Sequence, residues 1–179
     1  MKSSFSFLLI VLLQLIICLS FPGGGAAANL EEICQKASSS SVNMTYDFCL
    51  TSLQPIPGTR EVDTKGLASI TINLSISNFT STREKIADLQ SKATDQSVKD
   101  ALQICSVRFG NGDASLKIAQ TSLGQDHIQD ALSSVRAAAG SAVVCANAFS
   151  ERGIQSPISD TQDGFLLCNL AAYIIQLLA

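Results

Sequence analysis

The cysteines are the residues of this chain whose type and spacing are most informative about its chemistry, because they can form disulfides. One of the six lies near the start, and the other five are Cys34, Cys49, Cys105, Cys145 and Cys168. The first two are close in sequence, the next two are widely spaced, and the last lies near the end. In an oxidising compartment, five cysteines predict two disulfides and one remaining thiol.

The start of the chain indicates such a compartment. Lys2 supplies a positive charge, the segment 5–21 is almost wholly apolar, and Ala26-Ala27-Ala28 offers small residues for cleavage. This order is typical of a secretory signal, and the apolar run is too short and too poorly flanked for a membrane span. We therefore predict a signal peptide at residues 1–28 and one secreted domain at residues 29–179, with no membrane attachment after cleavage.

Catalytic chemistry is poorly supported. The single histidine, His127, could join Asp130 and a nearby serine in a Ser-His-Asp arrangement, but no motif prepares a nucleophile or an oxyanion hole. Asp126 with Asp130, or Asp160 with Asp163, could be acid/base pairs, yet each pair is placed at the start of a helix, where carboxylates cap or stabilise the helix dipole. One histidine beside paired cysteines does not make a zinc site. The sequence predicts a protein that is not an enzyme and has no metal or cofactor.

Three N-glycosylation sequons begin at Asn43, Asn73 and Asn78. They matter only if the chain is secreted. Asn43 falls in a predicted connection and is the strongest candidate. Asn73 is expected to point away from the apolar face of its helix, and Asn78 to lie on the flank of that face.

Charge and composition narrow the choice of partners. The whole chain has 12 Lys and Arg against 15 Asp and Glu, and a net charge of −3. No cluster of basic residues occurs, which argues against a nucleic-acid partner. The chain has no Trp, two Tyr and many small or aliphatic residues, and this composition favours helices.

Apolar residues recur at helical spacing in four long stretches. The helices that these stretches predict must position the cysteines and polar residues described above. The second stretch keeps its phase through Gly110-Asn111-Gly112, so we predict one continuous helix there, weakened or kinked at the glycines. The segment 69–77 alternates like a strand, but its apolar residues also fall on one helical arc, and we predict a helix. The third stretch should end near Gly153, and the last should start at Asp160 as its N-cap.

Short polar links between the four stretches, near residues 91–95, 124–126 and 153–159, predict antiparallel neighbours. The expected fold is therefore all-α, an up-down-up-down four-helix bundle at residues 62–179. A short helical hairpin at residues 29–53 precedes it, with helices at Asn29–Ala37 and Thr45–Leu53 around the serines Ser38–Ser41. Cys34 and Cys49 flank this hairpin. Cys105 and Cys145 lie on the inward stripes of consecutive helices and can face each other.

These features resemble the plant invertase and pectin methylesterase inhibitor family over the whole of residues 29–179. The resemblance is closest to the invertase-inhibitor branch that includes pollen-allergen-like members. The residues that carry it are Ile33-Cys34, the run Tyr46–Leu53 (YDFCLTSL), Lys65–Ala68 (KGLA), Cys105 with Phe109, Cys145 with Phe149, and Gly153-Ile154 with Ser156-Pro157. Invertase inhibitors of the family tend to carry Pro-Lys-Phe near the start of the third bundle helix, where this chain has Asp126-His127-Ile128.

The resemblance implies disulfides Cys34–Cys49 and Cys105–Cys145, which leaves Cys168 as a buried free thiol. It also implies an extracellular bundle, in the cell wall or the vacuole, that covers the substrate cleft of pectin methylesterase or acid invertase. The exposed polar link Asp126-His127-Ile128 is the predicted contact. The alternative is a non-inhibitory secreted bundle, such as a small-ligand carrier or a storage or allergen-type protein. The small residues Ala131, Ala138, Ala142 and Ala172 would line a carrier's cavity, but they also permit close helix packing, which we favour.

Overall fold

The computed structural model describes residues 27–41 and 43–179, and in that part the chain forms helices and no strands. The helices are α1 (Leu30–Ser40), α2 (Tyr46–Leu53), α3 (Thr64–Lys92), α4 (Gln96–Gly124), α5 (Ile128–Ser150) and α6 (Thr161–Gln176). The predicted all-α fold with two disulfides is confirmed. Apart from its last two residues, the predicted signal peptide lies outside the described residues.

The four long helices form an antiparallel bundle. Each of α3, α4, α5 and α6 packs mainly on its neighbour in the chain, and α3 also packs on α6, which closes the ring. Short connections impose this order, because a helix that follows a tight turn must run back beside its predecessor. The most extensive contact joins α4 and α5. The alanines at 131, 138, 142 and 172 are all buried, as expected for close helix packing.

The N-terminal hairpin packs on the bundle. Asn29 and Thr45 are the N-caps of α1 and α2, and each side-chain oxygen accepts a hydrogen bond from a backbone N–H three residues later. The prediction that α1 ends at Ala37 is wrong. Ser38, Ser39 and Ser40 continue α1, and their hydroxyls donate to carbonyl oxygens one turn earlier at 2.8 to 2.9 Å. These internal bonds satisfy the serine hydroxyls, so the run does not have to leave the helix.

The strand-like segment 69–77 lies within α3, as predicted. Its buried hydroxyls bond within the helix: Thr71 donates to the Leu67 carbonyl at 2.8 Å, and Ser75 donates to the Thr71 carbonyl at 2.9 Å. Because these polar groups are satisfied locally, they can face the core beside Ile72 at little cost. The alternation therefore reflects small hydroxyl residues on the buried face of a helix.

The Gly110-Asn111-Gly112 run is part of one unbroken helix, and Gly112 has a packing role that the sequence did not predict. A β-carbon at Gly112 would lie 2.3 Å from Cε1 of Phe79 in α3. The Phe79 ring is fully buried and also contacts Phe109, with ring centroids 4.7 Å apart. The Phe79 ring thus occupies the space in which a side chain at position 112 would lie. Gly110 has nothing within 4 Å of its would-be β-carbon.

By length and hydropathy, one helix of the described part, α5, could cross a membrane. Nine of its residues, from Ala131 to Phe149, are buried within the bundle. The apolar character of α5 is accounted for by its packing against α4 and α6.

Candidate functional site

The predicted contact residues lie in the tight connection between α4 and α5. Two backbone hydrogen bonds close α4: the His127 N–H donates to the Ser122 carbonyl at 2.9 Å, and the Asp126 N–H donates to the Leu123 carbonyl at 3.2 Å. This pair of bonds is a Schellman motif, which requires a left-handed residue at its centre. Asp126 is that residue, with φ of 60°, and it is the only non-glycine residue with positive φ in the described part of the chain. The connection is therefore held in one conformation by its own backbone.

Asp126 does not cap a helix, and its interpretation as a capping residue is wrong. Its carboxylate forms an ion pair with Nζ of Lys65, in the first turn of α3, at 2.5 Å. The pair brings together residues 61 positions apart. Both side chains reach solvent, so the pair adds little to stability, but it joins the connection to the neighbouring helix. Lys65 belongs to the KGLA run that carries the family resemblance, but nothing in the sequence predicts its pairing with Asp126.

His127 occupies the N-cap position of α5, where its side chain makes no capping hydrogen bond. Its imidazole is about 60% exposed, and Nδ1 lies 4.0 Å from Oδ2 of Asp130, beyond hydrogen-bond distance. Asp130 is in the first turn of α5, where its charge suits the helix dipole. His127 is thus an exposed histidine at the start of a helix.

Asp160 and Asp163, the second aspartate pair, have different surroundings. Asp160 takes the N-cap position of α6 as predicted, but its side chain makes no capping bond. Its Oδ2 accepts a hydrogen bond from Lys85 of α3 at 2.7 Å, and Oδ1 accepts one from Ser159 at 2.6 Å. The bond from Lys85, helped by that from Ser159, lowers the pKa of Asp160. Asp163 remains in the first turn of α6.

Two disulfides link consecutive helices of the described fold. Cys105 and Cys145 link α4 to α5, with their Cα atoms 4.5 Å apart, and Cys34 and Cys49 link α1 to α2, with their Cα atoms 5.5 Å apart. Both predicted pairings are confirmed. At about 1.5 Å per residue, Cys105 lies about 28 Å along α4 from its end at Gly124. The α4–α5 pair is thus tied by a disulfide toward one end and by the Schellman turn at the other.

Cys168 of α6 is the unpaired cysteine among those described, and it is buried. Burial raises the pKa of its thiol to about 12, although a hydrogen bond with Ser75 acts in the opposite direction. Because the thiolate is the reactive form, this cysteine is unreactive in the folded protein. It packs as a small apolar side chain.

The three sequon asparagines have different surroundings. Asn43 is exposed in the connection between α1 and α2, and Asn73 is exposed on α3. Asn78 is partly buried, and its Oδ1 is shielded from solvent without a hydrogen-bond partner. Acceptance of a glycan at these positions stays a prediction.

No cluster of metal-binding side chains occurs within the described residues. The site at the α4–α5 end consists of a fixed backbone turn, an exposed imidazole and exposed charges. Such a surface can bind another protein by shape and polar contacts, since its conformation is set before contact.

Comparison with known proteins gives a family match over nearly all of the described fold. The model of the family described as plant invertase/pectin methylesterase inhibitor matches residues 28–174. A Platanus acerifolia protein named "Putative invertase inhibitor" is 29% identical over 185 residues, covering 99% of each chain. A cell wall/vacuolar inhibitor of fructosidase from Arabidopsis thaliana is 34% identical over 115 residues, covering 63% of this chain and 64% of its own.

Solved structures share the fold. A mutant form of a pectin methylesterase inhibitor from Arabidopsis superposes with a TM-score of 0.69 at 19% identity, covering 78% of this chain and 96% of its own. A second pectin methylesterase inhibitor structure, from Arabidopsis thaliana, gives a TM-score of 0.62 at 20% identity, covering 87% of this chain and 99% of its own.

Proposed function

The chain belongs to the plant invertase/pectin methylesterase inhibitor family, and on that premise we propose that it is a secreted inhibitor whose first target is an acid invertase. It acts by covering the substrate cleft of the enzyme and performs no chemistry of its own. The observation that carries this proposal is the family match over residues 28–174 together with the preformed, exposed connection between α4 and α5.

The choice of target rests on the relatives. Two Platanus proteins bear the name "Putative invertase inhibitor", and the Arabidopsis relative is named an inhibitor of fructosidase. Invertase is itself a fructosidase, since it releases fructose from sucrose. The likeness to pectin methylesterase inhibitors is at 20% identity or less and concerns the fold. Pectin methylesterase remains the second target, because the family description names both enzymes.

We place the contact on Asp126, His127 and Ile128. A protein inhibitor loses affinity when loops must be ordered on binding, and this turn is already ordered by the Schellman bonds and by Lys65. His127 extends into solvent beside Asp130. It can donate hydrogen bonds to an acidic or carbonyl-rich rim of an enzyme cleft.

The proposed location is the cell wall, with the vacuole as the other acidic compartment of the same secretory route. The leader at residues 1–28 supports entry into this route. The two disulfides support an oxidising environment.

The test incubates the purified protein with acid invertase and with pectin methylesterase in separate assays at acidic pH. We expect stoichiometric loss of sucrose hydrolysis and no effect on the esterase. Inhibition of the esterase alone would assign the second target instead. If neither enzyme is inhibited, the protein is a non-inhibitory secreted bundle.

The contact is tested with matched variants. His127→Ala and Asp126→Asn should weaken inhibition at least a few-fold, whereas Asn147→Ala, at an exposed position near the other end of α5, should leave it unchanged. Equal inhibition by all three variants would move the contact away from the α4–α5 connection.

A further inference from the structure

A groove on the surface of the bundle begins at Asn43. It has a volume of about 260 Å³ and lies between α5 and α6, beneath the connection of the hairpin. Its apolar lining comes from Ala142, Val143 and Ala146 of α5 and from Phe165 of α6. Val143 is 39% exposed, which makes it one of the few large apolar side chains that the described fold leaves open to solvent.

The residue at the mouth of this groove is also a glycan acceptor by sequence. Asn43-Met44-Thr45 is a sequon, and Asn43 is exposed and outside the helices, a position at which the folded protein can accommodate a glycan. Met44 is buried at 4% exposure, which fixes the backbone next to Asn43. The Thr45 hydroxyl accepts a hydrogen bond from the Phe48 N–H at 3.1 Å and so anchors the other side.

We propose that Asn43 carries an N-linked glycan whose first N-acetylglucosamine lies in the groove between α5 and α6. The groove is large enough for one pyranose ring, and its attachment point is part of the lining. The apolar face of the sugar would cover Val143 and pack on the Phe165 ring, while exposed Gln162 offers an amide to its acetamido group. A covalently attached occupant reaches the groove at a high effective concentration.

The glycan would fasten the hairpin to the bundle. The helices of the hairpin contact the bundle helices less extensively than the four long helices contact one another. A sugar that is covalently linked to the hairpin connection and packed on α5 and α6 adds non-covalent contacts between the hairpin and the bundle. Ala142 lies about 21 Å along α5 from Ile128, so the glycan leaves the proposed enzyme contact free.

This inference rests on the secretion part of the proposed function, and its test is independent of any target enzyme. Residues 29–179 are produced behind a eukaryotic secretion leader, and the glycans are trimmed to a single N-acetylglucosamine. The same chain is made in the bacterial periplasm, where disulfides form without glycosylation. We expect glycopeptide mass spectrometry to find the sugar on Asn43. The trimmed protein should melt about 2 °C or more above the periplasmic one, with slower amide exchange in residues 43–53.

Two pairs of variants isolate the groove. Asn43→Gln should abolish the difference between the two preparations, while Asn73→Gln should preserve it. Val143→Ser, which removes part of the floor, should shrink the difference, while Val107→Ser, at an exposed valine of α4, should not. An unmodified Asn43, or a glycosylated Asn43 with equal melting temperature and exchange in both preparations, overturns the proposal. Loss of enzyme inhibition in both preparations would contradict the proposed function and leave this result standing.

Discussion

Two glycines of α4, two positions apart, should respond oppositely to the same substitution. Alanine is favoured over glycine in a helix interior by about 1 kcal/mol. At Gly110 the new methyl group meets nothing within 4 Å, so Gly110→Ala should stabilise the protein by up to about 1 kcal/mol. This gain corresponds to a rise in melting temperature of about 2 to 4 °C for a chain of this size.

At Gly112 the same methyl group would lie 2.3 Å from Cε1 and 2.9 Å from Cδ1 of Phe79. The ring cannot move away easily. Its opposite edge, at Cε2, lies against Gly164 of α6, and its centroid is 4.7 Å from that of the tilted Phe109 ring. Overpacking of this kind costs about 1 to 3 kcal/mol, and a central cost of about 2 kcal/mol exceeds the helix gain of about 1 kcal/mol. We expect Gly112→Ala to lose about 1 kcal/mol, so that the two variants differ by about 2 kcal/mol.

The assay is urea unfolding with the disulfides intact, followed by far-ultraviolet circular dichroism and by fluorescence to check two-state behaviour. The cause is tested by adding Phe79→Leu, which frees space beside position 112. In that background Gly112→Ala should cost less than in the wild type, whereas Gly110→Ala should act the same in both. If Gly112→Ala is as stable as Gly110→Ala, or if its cost is unchanged by Phe79→Leu, the packing argument is refuted.

Four further predictions concern single residues. Asp126→Gly removes the backbone strain of a left-handed non-glycine residue, about 1 kcal/mol, so it should keep or raise the stability of the protein. The same variant should weaken inhibition, because it removes a side chain of the proposed contact. If stability and inhibition are lost together, the contact assignment is contradicted. His127→Gln should weaken inhibition, because it removes the exposed imidazole from the proposed contact, and unchanged inhibition would remove His127 from the mechanism. Cys168 should resist alkylation until urea unfolds the protein, because it is buried and its pKa is raised to about 12; rapid labelling of native protein would argue against this placement. The hydrogen bond from Lys85 lowers the pKa of Asp160, so its stabilisation is present above the carboxyl pKa of the unfolded chain and is lost as pH falls through the folded value. Asp160→Asn should therefore be less stable than wild type near neutral pH and equal to it in strong acid, and a constant deficit would contradict this linkage.

The sequence by itself determined the helical bundle and its cross-links. The turn of a helix repeats every 3.6 residues, so a stripe of apolar residues identifies the buried face without knowledge of the partner. For this reason the continuity of α4 through Gly110 and Gly112, and the helix at 69–77, were predicted correctly. The family resemblance supplied the two cysteine pairings.

Tertiary structure alone decided the contacts between residues far apart in the chain. Lys65 meets Asp126 across 61 positions, and Lys85 meets Asp160 across 75. The role of Gly112 and the groove below Asn43 depend in the same way on which residues of neighbouring helices lie at one level. Periodicity fixes the direction in which a side chain points, but the axial register of packed helices follows from how their side chains interlock, which no local pattern encodes.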